Sequence, residues 1–183
     1  MKPKFLNKKG QASSVFNLLI AAVVAVAILT ILMYIMNLIP KPFSQSPTER
    51  AVEVVKSHTT LLGTREITSE VTWQNKGELS ARAIADGTGS LAEDQVCVLP
   101  GQFGEGDSSG SFIGLGNGGT KIQYAFEGSM NTKLFVLCDY VNKMDETLAE
   151  YDVDWAGQWG DCPCKLNYDG EATKCCIVAI VRD

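Results

Sequence analysis

The chain has 183 residues, of which 45% are apolar and 20% are charged. This length excludes two large domains and leaves room for one soluble domain and one special segment. No acidic residue precedes Glu49, and the chain beyond residue 10 carries 12 basic and 21 acidic groups, so its net charge of −9 would repel nucleic acid.

The first 40 residues combine a basic stretch with an uncharged apolar segment. Residues 1–10 contain four lysines and no acid, whereas residues 11–40 contain no charged side chain. As a helix, the 25 residues from Val15 to Ile39 would span roughly 37 Å, which is enough to cross a bilayer. Seventeen of them are Val, Ile, Leu, Phe or Met, and their exposure to water would cost on the order of 25 kcal/mol. The positive-inside rule predicts that the N-terminus lies in the cytoplasm and that the rest lies outside.

Three interpretations fit such a segment: a removable secretory signal, a permanent single-span anchor and the hydrophobic stalk of a filament subunit. A secretory signal has an apolar core of about 7 to 15 residues and ends in an A-x-A-like site. This segment is longer and has no alanine between Ala27 and Ala51, which argues against a secretory signal. The residues before the segment must therefore distinguish an anchor from a stalk.

The junction between the basic stretch and the apolar segment reads Lys8-Lys9-Gly10-Gln11. This junction resembles the class III signal peptides of archaeal type IV pilin precursors. In that family a membrane peptidase cuts after the glycine, on the cytoplasmic side of the apolar helix. The resemblance implies a leader-cleavage site at Lys8, Lys9, Gly10 and Gln11, with the cut between Gly10 and Gln11.

The mature chain of such pilins begins with a Q-x-S-x-E-x-x-x-L pattern. Gln11, Ser13 and Leu19 stand at the matching positions and form the processing motif that the resemblance implies. Val15 departs from the pattern, because it occupies the position of the glutamate. In related pilins an acid there is thought to pair with the amino terminus of a neighbouring subunit. The resemblance covers residues 8–36 of this chain.

This resemblance implies a structural subunit, without enzymatic activity, of a type IV pilus-like surface filament used in adhesion. The expected parts are a cleaved leader (1–10), a transmembrane or filament-core helix (11–39), a Pro-rich linker with an amphipathic helix (40–63) and an extracellular head (64–183). The implied partners are identical subunits in a helical filament, a prepilin-peptidase-like membrane protease, and an assembly ATPase with its platform. The precursor would reside in the cytoplasmic membrane before assembly, and no cofactor, metal or nucleic acid is expected.

A second hypothesis from another class uses the same composition. The chain would then be an unprocessed single-span membrane protein that displays an extracellular, disulfide-bonded binding module. An intact leader on the native protein would favour this hypothesis over the filament subunit. An anchored hydrolase is the least supported reading, because no nucleophile and base are paired in the sequence.

Proline-rich residues 40–47 predict that the first helix stops and that a second helix begins. Ser46 can cap the second helix, Pro47 suits its first position, and Glu49 completes an S-x-x-E capping box. Gly63 is predicted to end it. The residues that line one face of it at helical spacing are Ala51, Val54, Val55, His58, Leu61 and Leu62.

Beyond this helix, short β-branched and aromatic runs predict strands. They occupy residues 66–73, 79–85, 95–99, 121–126, 133–139 and 174–181. Residues 100–120 are glycine-rich and predict turns, and the acidic residues 144–159 are predicted to contain a helical turn. The expected fold is α+β, with a long N-terminal hydrophobic helix followed by a small, mostly antiparallel, disulfide-bonded head.

Six cysteines in a chain this short indicate disulfides and an oxidising compartment. Adjacent residues of a strand point to opposite faces, so Cys175 and Cys176 are expected to bond different partners. Fifteen pairings are open, and the preferred one joins Cys162 and Cys164 to that pair and leaves Cys97 to Cys138. The alternative is a four-thiolate metal site, but one pair is C-x-C and the other contiguous, which is not the spacing of a zinc knuckle.

Two glycine motifs and an acidic region carry chemical alternatives that we do not favour. Residues 106–110 match G-x-S-x-G, but the only histidine, His58, lies far upstream. Residues 114–119 match G-x-G-x-x-G, but a strand rather than a helix is predicted to follow. The acidic residues Asp152, Asp154 and Asp161 could bind calcium, although the spacing is not that of an EF-hand and a solvated face is favoured. The nearby Trp155 and Trp159 are predicted to belong to the core, and His58 is predicted to be packed or partly exposed rather than a ligand.

Overall fold

The computed structural model describes residues 9–38, 46–104, 111–115 and 118–182, and in the first of these ranges it describes the side chains of residues 16–31. The chain divides into two compact units, Met1–Lys41 and Pro42–Asp183. The residues between the two predicted helices, including Pro40 and Pro42, lie outside the described part of the chain.

The described residues of the first unit form the helix α1, which runs from Lys9 to Leu38. It has no acidic residue in its first turn and no basic residue in its last. Thr30 is a polar residue within it, and its hydroxyl donates to the carbonyls of Val26 and Ala27 at 3.1 and 2.8 Å. The side chain thus satisfies its hydrogen-bonding group on its own helix. Among all the residues that the structure describes, no helix combines the length and apolarity needed to cross a membrane.

The second unit begins with helix α2, from Pro47 to His58, and the predicted start is confirmed. The Ser46 hydroxyl accepts from the Glu49 amide at 3.2 Å, and the Ser46 amide donates to the Glu49 carboxylate at 3.0 Å. The helix ends at His58 rather than near Gly63. As a result Leu61, predicted to lie on its apolar face, is 54% exposed.

The remaining helices and strands of the second unit alternate without a fixed period. The strands are β1 (Arg65–Ile67), β2 (Val71–Gln74), β3 (Glu78–Ser80), β4 (Val96–Leu99), β5 (Phe112–Leu115), β6 (Lys121–Tyr124), β7 (Ser129–Tyr140) and β8 (Lys174–Val181). The helices are α3 (Ala81–Thr88), α4 (Val141–Glu150) and α5 (Pro163–Tyr168). Short 3₁₀ turns occupy Glu93–Gln95, Gly101–Phe103 and Ala156–Asp161.

The strands form two sheets. The central sheet has the order β1-β7-β8-β4, and β2 also pairs with the long strand β7. The small sheet has the order β3-β6-β5. All pairings are antiparallel except β4 with β8, which run parallel. The predicted α+β, mostly antiparallel class is therefore confirmed for this unit, whereas the parallel pair was not predicted.

The central sheet has two buried faces with different covers. The first, which we call the α2 face, is covered by α2, α3 and the small sheet, and the second, the α4 face, is covered by α4, the 3₁₀ turn at Ala156–Asp161 and α5. The sheet residues of the α2 face are Val96, Val98, Leu134, Val136, Cys138, Cys176, Val178 and Ile180. The sheet residues of the α4 face are Cys97, Leu99, Phe135, Leu137, Cys175, Ile177, Ala179 and Val181.

One predicted strand, residues 79–85, is wrong. Only β3, which ends at Ser80, is extended, and α3 follows at once. The reason is the periodicity of the buried residues, since Ala81, Ile84, Ala85 and Thr88 recur at helical spacing and pack against α2. Their β-branched and alanine content did not distinguish a short buried helix from a strand.

Three further elements differ from the prediction. The run at residues 66–73 is divided between β1 and β2, which pair with different parts of β7. Strand β5 lies inside the glycine-rich region where only turns were predicted, and α4 begins at Val141, before the predicted helical turn. The predicted helical turn is thus confirmed with an earlier start, whereas β5 was missed because the surrounding glycines indicated turns.

Candidate functional site

The residues of the predicted processing site lie at the start of α1. Lys8 lies outside the described residues, while the backbone of Lys9, Gly10, Gln11 and Ser13 is helical. The side chains of these four positions are not part of the described structure. The cleavage site therefore stays a prediction.

The described side chains of α1 present a continuous apolar surface. Every side chain between residues 16 and 31 is exposed, and Leu19, the last residue of the processing motif, is 58% exposed. The exposed large apolar residues are Phe16, Leu18, Leu19, Ile20, Val23, Val24, Val26, Ile28, Leu29 and Ile31. Exposed apolar surfaces of this extent are typical of sites that contact another protein or a membrane.

Three disulfides use all six cysteines: Cys97–Cys162, Cys138–Cys176 and Cys164–Cys175. The expectation that Cys175 and Cys176 bond different partners is confirmed. The expected bonds from Cys162 and Cys164 to that pair are confirmed for Cys164, which bonds Cys175, and wrong for Cys162, which bonds Cys97. The segment itself is not a loop, because Cys162 precedes α5 and Cys164 lies within it.

The preferred pairing of Cys97 with Cys138 is wrong, and the register of the sheet explains why. Cys138 lies directly opposite Cys176 across β7 and β8, while Cys97 lies opposite Ile177 across β4 and β8. Registered neighbours point to the same face of a sheet. Cys97 and Cys138 consequently point to opposite faces, and the sequence could not show this without the pairing of the strands.

The four-thiolate metal site is also contradicted, because Cys162, Cys164, Cys175 and Cys176 are all in disulfides. The described residues contain no cluster of histidine, cysteine or acidic side chains that could hold a metal ion. Asp152, Asp154 and Asp161 are among these residues, so they do not form the calcium site that the sequence left open.

The two glycine motifs have different outcomes. The G-x-S-x-G motif falls within residues 105–110, outside the described residues. In the G-x-G-x-x-G motif, Gly119 precedes strand β6, as predicted, and has a φ of 69°. A Cβ atom at Gly119 would lie 2.5 Å from the Cys97 sulfur. Gly119 is thus required for packing against a disulfide, and the helix that a dinucleotide site needs is absent after it.

His58 is packed and 4% exposed. Its Nε2 lies 2.8 Å from the Glu66 carboxylate and its Nδ1 lies 3.2 Å from the Thr64 carbonyl. Both partners are hydrogen-bond acceptors. The residue joins the end of α2 to β1, which is a structural role.

The tryptophans and the acidic region build the cover of the α4 face. Trp155 and Trp159 are buried, as predicted, and the Trp159 indole donates to the Asp145 carboxylate at 2.9 Å. Lys165 lies between Asp145 and Asp169, at 2.5 and 3.0 Å. Its hydrogen bond to Asp145, and then that to Asp169, raises the pKa of Lys165 above its usual 10.5.

Tyr168 ties α5 to the 3₁₀ turn that precedes β4. Its hydroxyl donates to the Asp94 carboxylate at 2.7 Å. That hydrogen bond raises the pKa of the Tyr168 phenol above its usual 10.0. Lys165 and Tyr168 therefore hold their protons more tightly in the folded protein than in the unfolded chain.

A cavity of about 450 Å³ opens at one corner of the α4 face. Its walls combine apolar side chains with both basic and acidic ones, and they come from five separate parts of the sequence. The lining residues are Arg65, Ile67, Gln102, Lys133, Phe135, Tyr151, Asp152, Val153, Asp154, Trp155, Val181 and Arg182. The sequence did not predict this site. Its residues are far apart in the chain, and only the strand register brings them together on one face.

No protein-family model, no curated protein and no solved structure matches this chain.

Proposed function

We propose that this protein is a structural subunit of a surface filament similar to archaeal type IV pili, assembled through its N-terminal helix. The observation that carries the proposal is the exposed apolar surface of α1 directly behind the basic-Gly-Gln junction. The proposal includes removal of residues 1–10 by a prepilin-peptidase-like membrane protease. Adhesion of cells to surfaces is the proposed use of the filament.

The composition of α1 supports a helix that is bound by lipid first and by other helices later. Its uncharged apolar residues cover the helix on all sides, which is typical of a helix in the centre of a bundle. Ala21, Ala22, Ala25 and Ala27 would let neighbouring backbones approach closely. Cutting between Gly10 and Gln11 removes the lysines that hold the helix in the membrane and leaves the helix attached to the second unit. An assembly ATPase and its membrane platform would drive the exchange.

The valine at position 15 shapes how such a filament could assemble. An acidic residue there would pair with the amino terminus of a neighbouring subunit, and Val15 cannot form that pair. Registration of subunits would then depend on apolar packing between α1 helices and on contacts of the second units. Filament formation should accordingly show little dependence on salt concentration, because apolar contacts are not screened by ions.

The three disulfides support a location outside the cytoplasm. Structural disulfides persist in oxidising compartments, such as the cell surface. The second unit is proposed to be the part that faces the exterior, and the N-terminus of the precursor is proposed to lie in the cytoplasm.

A single-span anchored binding module is the second candidate, and the cavity on the α4 face favours it. In that case the leader stays in place and α1 remains in the membrane as a monomer. The two candidates share the second unit and differ in the fate of α1.

The mass of the native protein separates the two candidates. We expect a chain that begins at Gln11 and fibres that contain it by electron microscopy. Gly10→Val should block both, because the bulky side chain prevents cutting, whereas Lys4→Arg, which keeps the leader's charge, should be cut and assembled normally. An intact leader on a protein found only as a monomer in membranes would rule out the filament subunit.

A further inference from the structure

The cavity on the α4 face has the chemistry of a site for a carboxylated sugar, and we propose that it binds one. This inference concerns the second unit alone and does not depend on assembly into a filament. The volume of the cavity, about 450 Å³, is within the range of small-ligand sites. The argument rests on three groups of side chains around the cavity.

Basic side chains form the first group. Arg65, Lys133 and Arg182 all line this cavity, in a second unit whose overall charge is negative. The guanidinium of Arg65 lies 4.8 Å from the centre of the Tyr151 ring, and that of Arg182 lies 5.2 Å from the centre of the Phe103 ring. A guanidinium within about 6 Å of the centre of an aromatic ring is attracted by the negative face of that ring. The two arginines are thereby held in place before a ligand arrives.

Arg65 is the residue of this group that we expect to bind the carboxylate. Its partner ring is itself fixed, because the Tyr151 hydroxyl donates to the Gly63 carbonyl at 2.8 Å. Asp152 and Asp154 line the same cavity. Among the described residues, however, no carboxylate lies within salt-bridge distance of Arg65. A planar guanidinium can bind a carboxylate through two parallel hydrogen bonds.

Apolar side chains form the second group. Ile67 lies opposite Phe135 in the register of β1 and β7, and both line the cavity. Phe135 packs edge-to-face on Trp155 with ring centres 5.0 Å apart. Ile67 occupies a position that faces this sheet surface, yet it is 49% exposed, because the cover of the α4 face does not reach it. An apolar wall of this kind suits the C–H face of a sugar ring.

The acidic side chains, Asp152 and Asp154, form the third group and decide the class of ligand. Carboxylates accept hydrogen bonds from hydroxyl groups and repel further negative charge. A polyphosphate or nucleic acid would place several charges against them. One ring of a sugar acid instead offers one carboxylate for the arginine and several hydroxyls for the aspartates, and in a short oligomer the carboxylates of the other rings would lie outside the cavity.

The test is a titration of the full chain, kept in solution with a mild detergent, with a galacturonate trimer, followed by tryptophan fluorescence. We expect saturable binding that weakens as salt is added, and no binding of the uncharged galactose trimer. Monomeric galacturonate serves as a third probe, and it should compete with the trimer for the same site. Binding of both trimers with equal affinity would overturn the proposal, as would no binding of either acid.

Variants connect the binding to this cavity. Arg65→Gln should weaken binding of the galacturonate trimer about tenfold, since it loses a charge-assisted pair of hydrogen bonds. Ile67→Trp should abolish binding by filling the cavity. The matched control is Arg82→Gln, because Arg82 pairs with Glu93 and does not line the cavity. Thermal unfolding of each variant shows whether it folds, and equal affinities for Arg65→Gln and Arg82→Gln would refute the site.

Discussion

The two faces of the central sheet are buried in different ways. The α2 face is covered by two helices and a small sheet, and its disulfide, Cys138–Cys176, joins neighbouring strands of the sheet itself. The α4 face is covered by one continuous stretch of chain between β7 and β8, and two disulfides join this stretch to the sheet. Thus noncovalent contacts hold the first cover, while two disulfides join the second cover to the sheet.

The difference follows from the amount of regular structure in each cover. The helix α2 has 12 residues, a capping box and five buried side chains. The helices of the second cover have 10 and 6 residues, and the shorter one buries Cys164. Helices this short are marginal without tertiary support. Disulfides compensate by limiting the unfolded states of the stretch that they close.

Removing a large side chain from the α2 face should give the largest loss of stability. Trp73 is fully buried, donates to the Thr132 hydroxyl at 2.8 Å and packs edge-to-face on Phe112. Trp73→Ala should lower the free energy of unfolding by about 3–5 kcal/mol, measured by urea denaturation. The matched control, Phe126→Ala, removes an aromatic ring that is 48% exposed. It should change stability by only about 0.5 kcal/mol, and equal losses in the two variants would contradict the assignment of the core.

Removing a disulfide should open the α4 face selectively. Replacing Cys97 and Cys162 together by alanine should cost about 2–4 kcal/mol, because that bond closes the longest loop. Hydrogen exchange should speed up first in the cover of the α4 face and not in α2.

The control for this prediction is the other bond to the same cover. Cys164 and Cys175 are separated by 11 residues, against 65 for Cys97 and Cys162. On the chain-entropy argument, replacing Cys164 and Cys175 by alanine should cost about 1.5 kcal/mol less. The reverse order would show that loop closure does not determine how the cover is held.

Removing the cap of α2 should have a smaller effect, confined to the α2 face. Ser46→Ala leaves the Glu49 amide without its acceptor, so stability should fall by about 1 kcal/mol. The measurement is thermal unfolding, with circular dichroism at 222 nm as the signal. Ser90→Ala, at an exposed position, is the control and should leave the transition unchanged.

The smallest expected effect is the pH dependence of the α4 cover. The pKa values of Lys165 and Tyr168 are raised on folding, by hydrogen bonds to Asp145 and Asp94 respectively. The folded state therefore holds these protons more tightly than the unfolded chain does. The stabilisation that results is complete below pH 10.0, the usual pKa of tyrosine, and is lost as the pH rises above that value. Urea denaturation should show that the free energy of unfolding falls between pH 9 and pH 11. This fall should be smaller in the Lys165→Met, Tyr168→Phe double variant than in the unmodified protein. An equal fall in the double variant would mean that other titrating groups cause the pH dependence.

Local signals predicted several elements well. The capping box predicted the first residue of α2, and the β-branched run at residues 174–181 coincides with β8. The expectation that Trp155 and Trp159 belong to the core is confirmed. Helix α3 was mistaken for a strand, because eight residues are too few for periodicity to separate the two.

The cavity could not have been predicted in this way. Arg65 and Lys133 are 68 positions apart in the sequence, and they share a face only because β1 pairs with β7, the strand that contains Lys133. Neither residue has a local signal that distinguishes it from an ordinary surface charge. The pairing of strands, rather than composition, creates the site.

By itself, the sequence determined the uncharged apolar stretch, the capped helix, the presence of disulfides and the α+β class, since each depends on residues that are close together in the chain. The tertiary structure decided which cysteines pair, where the parallel strand lies and which charges share the cavity. These depend on the strand register, in which a shift of one residue would exchange the two faces of the sheet. The register is determined by packing over the whole unit, so no short segment of the sequence predicts it.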